Sequence, residues 1–568
     1  MRRGLAWTLL LAAAVPLCLF FLLPLWMVLR GGFSDGQGFT LRYLGGVFQN
    51  PVYAEGLRNS FWIALGTTTL ATALALPLAW LADRYDFAGK KLATGLILTP
   101  LVLPPFLGAI GFQQVFGQSG AFNALLGLGP VDWLGRAGMA GVIALEALSL
   151  YPILYLNAAA ALANVDPAME EAAENLGATG ARKFFRITLP LIMPGLFAGG
   201  ILVFLWSFTE LGTPLLLNYT RCAPVQVFDA LKDIGTDPFP FALVFVLLAC
   251  SILLYSAGRL LFGRRAYAMT SKAATVSSAR RLTGARRLLP LLPFLLVIGI
   301  ALLPHAAVIL TSFSAPGSWY RSALPADYTL ANYQEALGHD LTVASIGNSL
   351  LYATLALLLT LALGVAIALV VVRSNLRLRG LLDNLSMLPL AVPGLVMAFG
   401  YLALSNELSH RDWVKDSPFW RSLLDVRSNP TLFLVIAYSI RRLPYMVRSA
   451  VAGLQQTSVT LEEAAANLGA TPLATWRRIT LPLISANLIA GGLLVFAFSM
   501  LEVSDSLMLA QRQDHYPITK AIFEFFQLMG TGPFLAAALG VWAMLFLALT
   551  LLGASLLLGR RMGALFRV

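Results

Sequence analysis

Apolar runs of about twenty residues, the length that crosses a hydrocarbon core, recur along the chain between short polar interruptions. They fall near 5–29, 57–82, 92–116, 138–162, 187–212, 240–262, 288–311, 346–371, 381–405, 431–453, 480–503 and 534–558. The pattern predicts about 12 transmembrane helices. Hydrophobic residues make up 58% of the chain and charged residues 12%, with a mean hydropathy of +0.75. That balance belongs to an all-α polytopic membrane protein, not to a soluble domain. The first run is too long for a removed signal peptide and lacks the small-residue cleavage pattern, so it is expected to stay as a span.

The polar interruptions repeat. Residues 170–190, EEAAENLGATGARKFFRITLP, return without a gap at 462–482 as EEAAANLGATPLATWRRITLP, 292 positions on. Asn59-Ser60 matches Asn348-Ser349, and Pro100 and Pro104 match Pro389 and Pro393, at an offset of 289. Pro152 and Glu210 match Pro444 and Glu502 at 292, so the second half carries a short insertion in an outer loop. The chain divides into a first six-span unit at 1–262, a polar, basic linker at 263–287 and a second six-span unit at 288–568. An even number of spans per unit gives two repeats of the same orientation, related by an axis along the membrane normal, with a pathway between them.

Charge fixes the orientation. The net charge of +12 gathers at alternate ends of the runs: Arg2 and Arg3; Arg84, Lys90 and Lys91; Arg182, Lys183 and Arg186; Arg264 and Arg265; Arg373, Arg377 and Arg379; Arg477 and Arg478; Arg560 and Arg561. This positive-inside pattern places both termini and both copies of the repeated stretch in the cytoplasm, and it points to no nucleic-acid partner. The three cysteines, Cys18, Cys222 and Cys250, are scattered and form no disulfide framework or metal motif; Cys18 and Cys250 read as packing residues inside apolar runs.

Each copy of the repeat reads locally as a helix–turn–helix on the cytoplasmic face. Asp166 is the expected N-cap and Pro167 the first helical residue, and Glu170 and Glu171 lie where the helix dipole favours acids. Gly177 supplies a left-handed stop, and Thr179 starts a second short helix. Ser458, Gly469 and Thr471-Pro472 repeat that chemistry in the second copy. Two such small-residue surfaces suit a two-fold symmetric partner.

These residues carry a resemblance. Glu171-Ala172-Ala173, Gly177 and Ile187-Thr188-Leu189-Pro190, repeated as Glu463-Ala464-Ala465, Gly469 and Ile479-Thr480-Leu481-Pro482, resemble the EAA loop of ABC importer permeases. The likeness covers nearly the whole chain, and the fused pair of units resembles the iron(III) and thiamine branch. It implies two ABC type I permease units whose EAA loops, 166–190 and 458–482, form coupling helices seated on a cytoplasmic ABC ATPase dimer. It also implies a periplasmic solute-binding protein, a lipid-embedded multi-pass location in the bacterial inner (plasma) membrane, and no cofactor on this chain, ATP and Mg being bound by the partner ATPase. In keeping with this, no P-loop is present: Gly89-Lys90 is followed by Lys91, and Gly177–Gly180 lacks the lysine. No HExxH, nucleophile elbow or Cys/His metal cluster appears, so no catalytic residue is expected. Ferric iron leads as the solute, with thiamine, a phosphonate or a sugar phosphate as alternatives. The competing class is an ion-coupled secondary transporter, which has no use for matched docking loops.

Ionisable groups at membrane depth mark either a path or a structural pair. Arg441 and Arg442 interrupt the tenth run just before Pro444. Either they face the path, where a guanidinium suits an anionic or complexed solute, or they snorkel or bind an acid on a neighbouring helix. Glu210 and Glu502, at matching ends of the fifth and eleventh runs, form a carboxylate pair at the outer mouth or cap helix ends. Glu146, isolated in the fourth run, has Arg441 or Arg442 as its expected partner. Trp7, Trp26, Trp80, Trp206 and Trp542 read as interface anchors.

Overall fold

The computed structural model describes residues 3–34, 38–102, 105–233, 238–262 and 280–558. Most of the linker (263–279), Pro104, and the basic residues Arg2, Arg264, Arg265, Arg560 and Arg561 lie outside them. The described chain is helical nearly throughout. Its one ladder is a two-residue parallel pair, Tyr85–Asp86 with Arg280–Arg281, which ties the end of the linker to the first unit.

Eight helices position the sites: α1 (Pro51–Arg84), α2 (Trp133–Leu162), α3 (Pro167–Asn175), α4 (Leu189–Phe208), α5 (Asp340–Arg373), α6 (Thr431–Gln456), α7 (Val459–Asn467) and α8 (Leu481–Met500). In the first unit α1, α2 and α4 pack on one another, and in the second α5, α6 and α8 do the same, so the sequence repeat is a repeat of packing. The units interlock. The N-terminal helix Arg3–Leu17 packs on α5 and its continuation Leu23–Gly32 on Gly394–Ser409, while Leu291–Phe313 packs on Pro105–Phe116 of the first unit. Matched glycines allow this exchange. A Cβ on Gly111 would lie 2.0 Å from the Pro304 carbonyl oxygen, and one on Gly400 would lie 2.9 Å from that of Pro24. Lipid tails are as apolar as the helices, so such close backbone approach, not hydrophobic burial, drives association.

Among the described residues, nine helices are long and apolar enough to cross a membrane, or ten with the pair Arg379–Leu390 and Gly394–Ser409, which meets at a 101° bend. The expected run at 381–405 is this bent pair. The run at 92–116 is likewise broken, into Lys90–Leu96, Thr99–Val102 and Pro105–Phe116. Proline is the cause: Pro100 and Pro105, and Pro389 and Pro393 in the second unit, each remove a backbone donor. The tenth run is α6, one helix of 26 residues, whose three arginines make it less apolar than the others. Cys18 does not pack in the core as expected; its side chain is exposed.

Candidate functional site

Two short helices, α3 and α7, come first in the chain's own logic, because their residues are the ones it writes twice. Asp166 accepts the Ala168 N–H at 2.9 Å and Ser458 accepts that of Thr460 at 3.3 Å, so both N-caps form as expected. Both helices end at a glycine of φ +82°, Gly177 and Gly469. There the Ala178 N–H reaches the Ala173 carbonyl at 2.9 Å, and the Ala470 N–H reaches that of Ala465 at 3.0 Å. This is a Schellman closure, which an L side chain at the glycine would strain. Glu171, Ala172, Glu463 and Ala464 are exposed, whereas Ala173 and Ala465 are buried against the body of the protein. Beyond them Leu176 and Leu468 project into solvent, 90% and 89% exposed. The second short helix differs from expectation. Gly180–Lys183 and Pro472–Thr475 each run into one π-turn, Phe184–Thr188 and Trp476–Thr480, that continues into α4 and α8.

The residues that anchor these helices escaped the sequence reading. Glu170, placed there as a favourable dipole partner, is 4% exposed and accepts hydrogen bonds from the Arg84 guanidinium and from Thr188 Oγ1, the latter at 2.7 Å. In the second unit Glu462 accepts from Arg373 Nε at 3.1 Å and Thr480 Oγ1 at 3.3 Å. Arg373 also donates to the carbonyls of Leu454 and Thr457, at 3.1 and 3.0 Å. The signal was available: all six residues recur at the repeat offsets.

Burial alone would raise the Glu170 carboxyl, but the bonds from Arg84 and Thr188 and the charges of Arg84 and Lys183 outweigh it and hold it below its ordinary value of 4.5. Because the folded value is the lower one, the anchor's contribution is present above pH 4.5 and is lost as pH falls through the folded value. Amide exchange across Pro167–Asn175, corrected for intrinsic rates, is therefore expected to stay slow from pH 8 to pH 5 and to quicken only below about 4.5. Release already between pH 5 and 6 contradicts that anchor.

The second constellation lies in the bundle. A cavity of about 300 Å³ between the two units is lined by Glu146, Glu210, Arg441, Arg442 and Glu502, with Trp206 beside them. All five candidate path residues thus meet at one place. Trp206 belongs to this wall and not to an interface belt; Trp7 and Trp26 face outward, as anchors do. The proline breaks also border it, through Pro100, Pro105, Pro389 and Pro393. Irregular backbone at membrane depth is tolerated where it lines a cavity.

The pairing differs from the one expected. Glu146 does not meet the arginines; its carboxylate accepts from Thr67 Oγ1 at 3.4 Å and from Ser207, and its other oxygen has no hydrogen-bond partner. Arg441 instead donates to Glu502 at 2.6 Å and to Asp505 at 3.4 Å. Arg442 bonds the second Glu502 oxygen and the Phe498 carbonyl, and its guanidinium lies over the Phe498 ring. Asp505, 1% exposed, was missed, although it stands three residues after Glu502 in FSMLEVSD. Gly394 makes room for this lock: a Cβ there would come within 1.8 Å of Arg441 Nη1. Glu210 lines the same cavity just before the short helix Gly212–Leu216.

Two parallel six-span units, each with the same exposed, capped short helix, around a charged cavity between them define a two-unit, type I importer permease. The model of the binding-protein-dependent transport system inner membrane component matches residues 75–267 and again 359–556, and the chain belongs to that family. Members of the family are non-catalytic subunits of ABC importers, which places this chain in the inner membrane as a multi-pass protein. It is 27% identical over 512 residues to the ferric transport system permease protein FbpB of Actinobacillus pleuropneumoniae, covering 87% of this chain and 70% of that one. It is 25% identical over 529 residues to the Fe(3+)-transport system permease protein FbpB 2 of Haemophilus influenzae, covering 92% and 93%. The molybdenum transport system permease protein ModB of the same organism is 30% identical over 191 residues, 32% of this chain and 82% of that one.

Proposed function

We propose that the chain passes ferric iron from a periplasmic binding protein to the cytoplasm, driven by an ABC ATPase dimer that grips α3 and α7. Both termini and both docking helices lie on the cytoplasmic side in this reading. ATP binding and hydrolysis rock the units between outward- and inward-facing states about the cavity. The observation that carries the ATPase half of the proposal is the duplicated docking helix, built with the same cap, stop and exposed leucine in each unit.

The cavity supports a cation over an oxyanion. Arg441 and Arg442 are already engaged by Glu502 and Asp505, so the cluster offers an anion little beyond the unmatched Nε of Arg442. Unmatched oxygens remain on Glu146 and Asp505. Three lining carboxyl groups, with Asp505 behind them, outnumber the two guanidiniums, so the wall offers more unengaged acceptors than donors, which favours a cation over an oxyanion. The names of the long relatives agree with this, while the shorter molybdenum relatives match only about one unit.

The deciding experiment is uptake of radioactive ferric iron into proteoliposomes holding this chain with the ATPase and binding protein that co-purify with it. Uptake is expected only with ATP inside and the loaded binding protein outside. Uptake driven by a proton or sodium gradient without nucleotide refutes the proposal, and molybdate uptake in place of iron refutes its choice of solute.

A further inference from the structure

We infer that the Arg84–Glu170–Thr188 and Arg373–Glu462–Thr480 clusters are twin latches that make each docking helix move as one body with the first core helix of its own unit. The inference rests on reading α3 and α7 as docking helices.

Each docking helix has nine residues, too few to be stable by itself. Little apolar surface holds it: within the helix Ala173 is the buried apolar residue of the first copy and Ala465 of the second. Its exposed leucine stands at the far end, so a force applied there tends to pivot the helix about its loops unless the N-terminal turn is fixed. The latch fixes that turn. One carboxylate joins three segments, the last turn of α1 (Arg84), α3 itself (Glu170) and the π-turn that leads into α4 (Thr188). In the second unit Arg373 adds the end of α6 through the Leu454 and Thr457 carbonyls. Charge-assisted bonds of this kind are the stronger class and are directional.

The same helices that the latches seize stand behind the cavity wall and are bonded to it or next to it. Seventeen residues up from Arg84, about 25 Å along α1, Thr67 donates to the Glu146 carboxylate. In the second unit Thr360 of α5 donates to the carbonyl of Ser439, two residues before Arg441. Each unit therefore has one continuous helix, latched to the docking helix at its cytoplasmic end and bonded beside the charged cavity further up. Glu170 and Glu462 act here as positioning residues; the exposed Glu171 and Glu463 do not.

The test uses the full chain in nanodiscs. Hydrogen–deuterium exchange mass spectrometry reads Pro167–Asn175 and Val459–Asn467 without any partner, and proteoliposomes with the co-purifying ATPase and binding protein read solute imported per ATP hydrolysed. Glu170→Gln with Glu462→Gln is expected to speed exchange in both helices at least tenfold and to cut import per ATP at least tenfold. In the first unit the exchanged pair Arg84→Glu with Glu170→Arg is expected to recover most of both losses relative to Glu170→Arg alone, which a general folding defect does not allow. Exchange and import per ATP within twofold of the unaltered chain in the double variant overturn the latches, as does an exchanged pair no better than the single change. Import by the unaltered chain without nucleotide counts against the importer reading instead, and the exchange measurement then decides the latches on its own.

Discussion

Leu176→Asp combined with Leu468→Asp is expected to leave the permease in the membrane at normal abundance and to strip it of its ATPase. The two side chains are 90% and 89% exposed at equivalent positions of the repeat, immediately before the glycines that turn the chain away. Neither contributes to the fold through burial, so replacing them removes nothing from the core. In a partner's groove each behaves as an apolar anchor, and truncation of such anchors costs about 2 kcal/mol. That is a thirtyfold loss of affinity per site at about 1.4 kcal/mol per decade. An aspartate adds the cost of burying an unpaired charge and sits unfavourably at the negative end of the helix dipole. In the proposed complex two sites on one chain bind one dimer, so the losses compound through effective concentration. Pull-down of the ATPase by the solubilised permease measures this. Each single variant is expected to retain a reduced fraction and the double variant close to none. Wild-type recovery by the double variant removes the docking assignment, whatever the transport result.

Helices α3 and α7 were legible because their signals are local. A cap, a first-position proline and a left-handed glycine are fixed by neighbours in sequence, and a gapless duplicate shows that the combination is retained as a unit. The spans were legible for the reason that lipid leaves the backbone few options. What composition concealed was where a run breaks. Residues 92–116 and 381–405 are as apolar as their neighbours, and only the prolines, already aligned at 100 and 389, reported that the segments bend around a cavity. Partners across the bundle were not legible at all. Glu146 and Arg441 were paired on charge alone, whereas three-dimensional packing gave Glu146 to Thr67 and Ser207 and gave the arginine to Glu502 and Asp505. Glu170 was read by its helical position and not by what lay 86 residues earlier, at the end of α1.

Glu502→Ala is expected to be the most destabilising single change in the bundle. Its carboxylate, 5% exposed, engages both Arg441 and Arg442. Its removal leaves two guanidiniums facing only Asp505 and the Phe498 carbonyl. Breaking a buried ion pair by deleting one partner costs about 3–5 kcal/mol, enough to shift the detergent-solubilised melting transition markedly downward. Stability loss by itself does not separate a structural lock from a path. The separation comes from deleting the whole cluster. Replacing a complete buried ion network with apolar residues of similar volume is commonly neutral or stabilising, so Arg441→Met, Arg442→Met, Glu502→Leu and Asp505→Val together are expected to melt near or above the unaltered chain. If the cavity wall conducts the solute, that well-folded variant loses import by two orders of magnitude or more while its ATPase remains bound to α3 and α7. Should it import at the original rate, the charges serve packing alone and the path runs elsewhere. A folded, ATPase-bound and import-dead permease is the expected outcome, because the variant keeps the fold and both docking helices while removing both guanidiniums and the Glu502 carboxyl from the cavity wall.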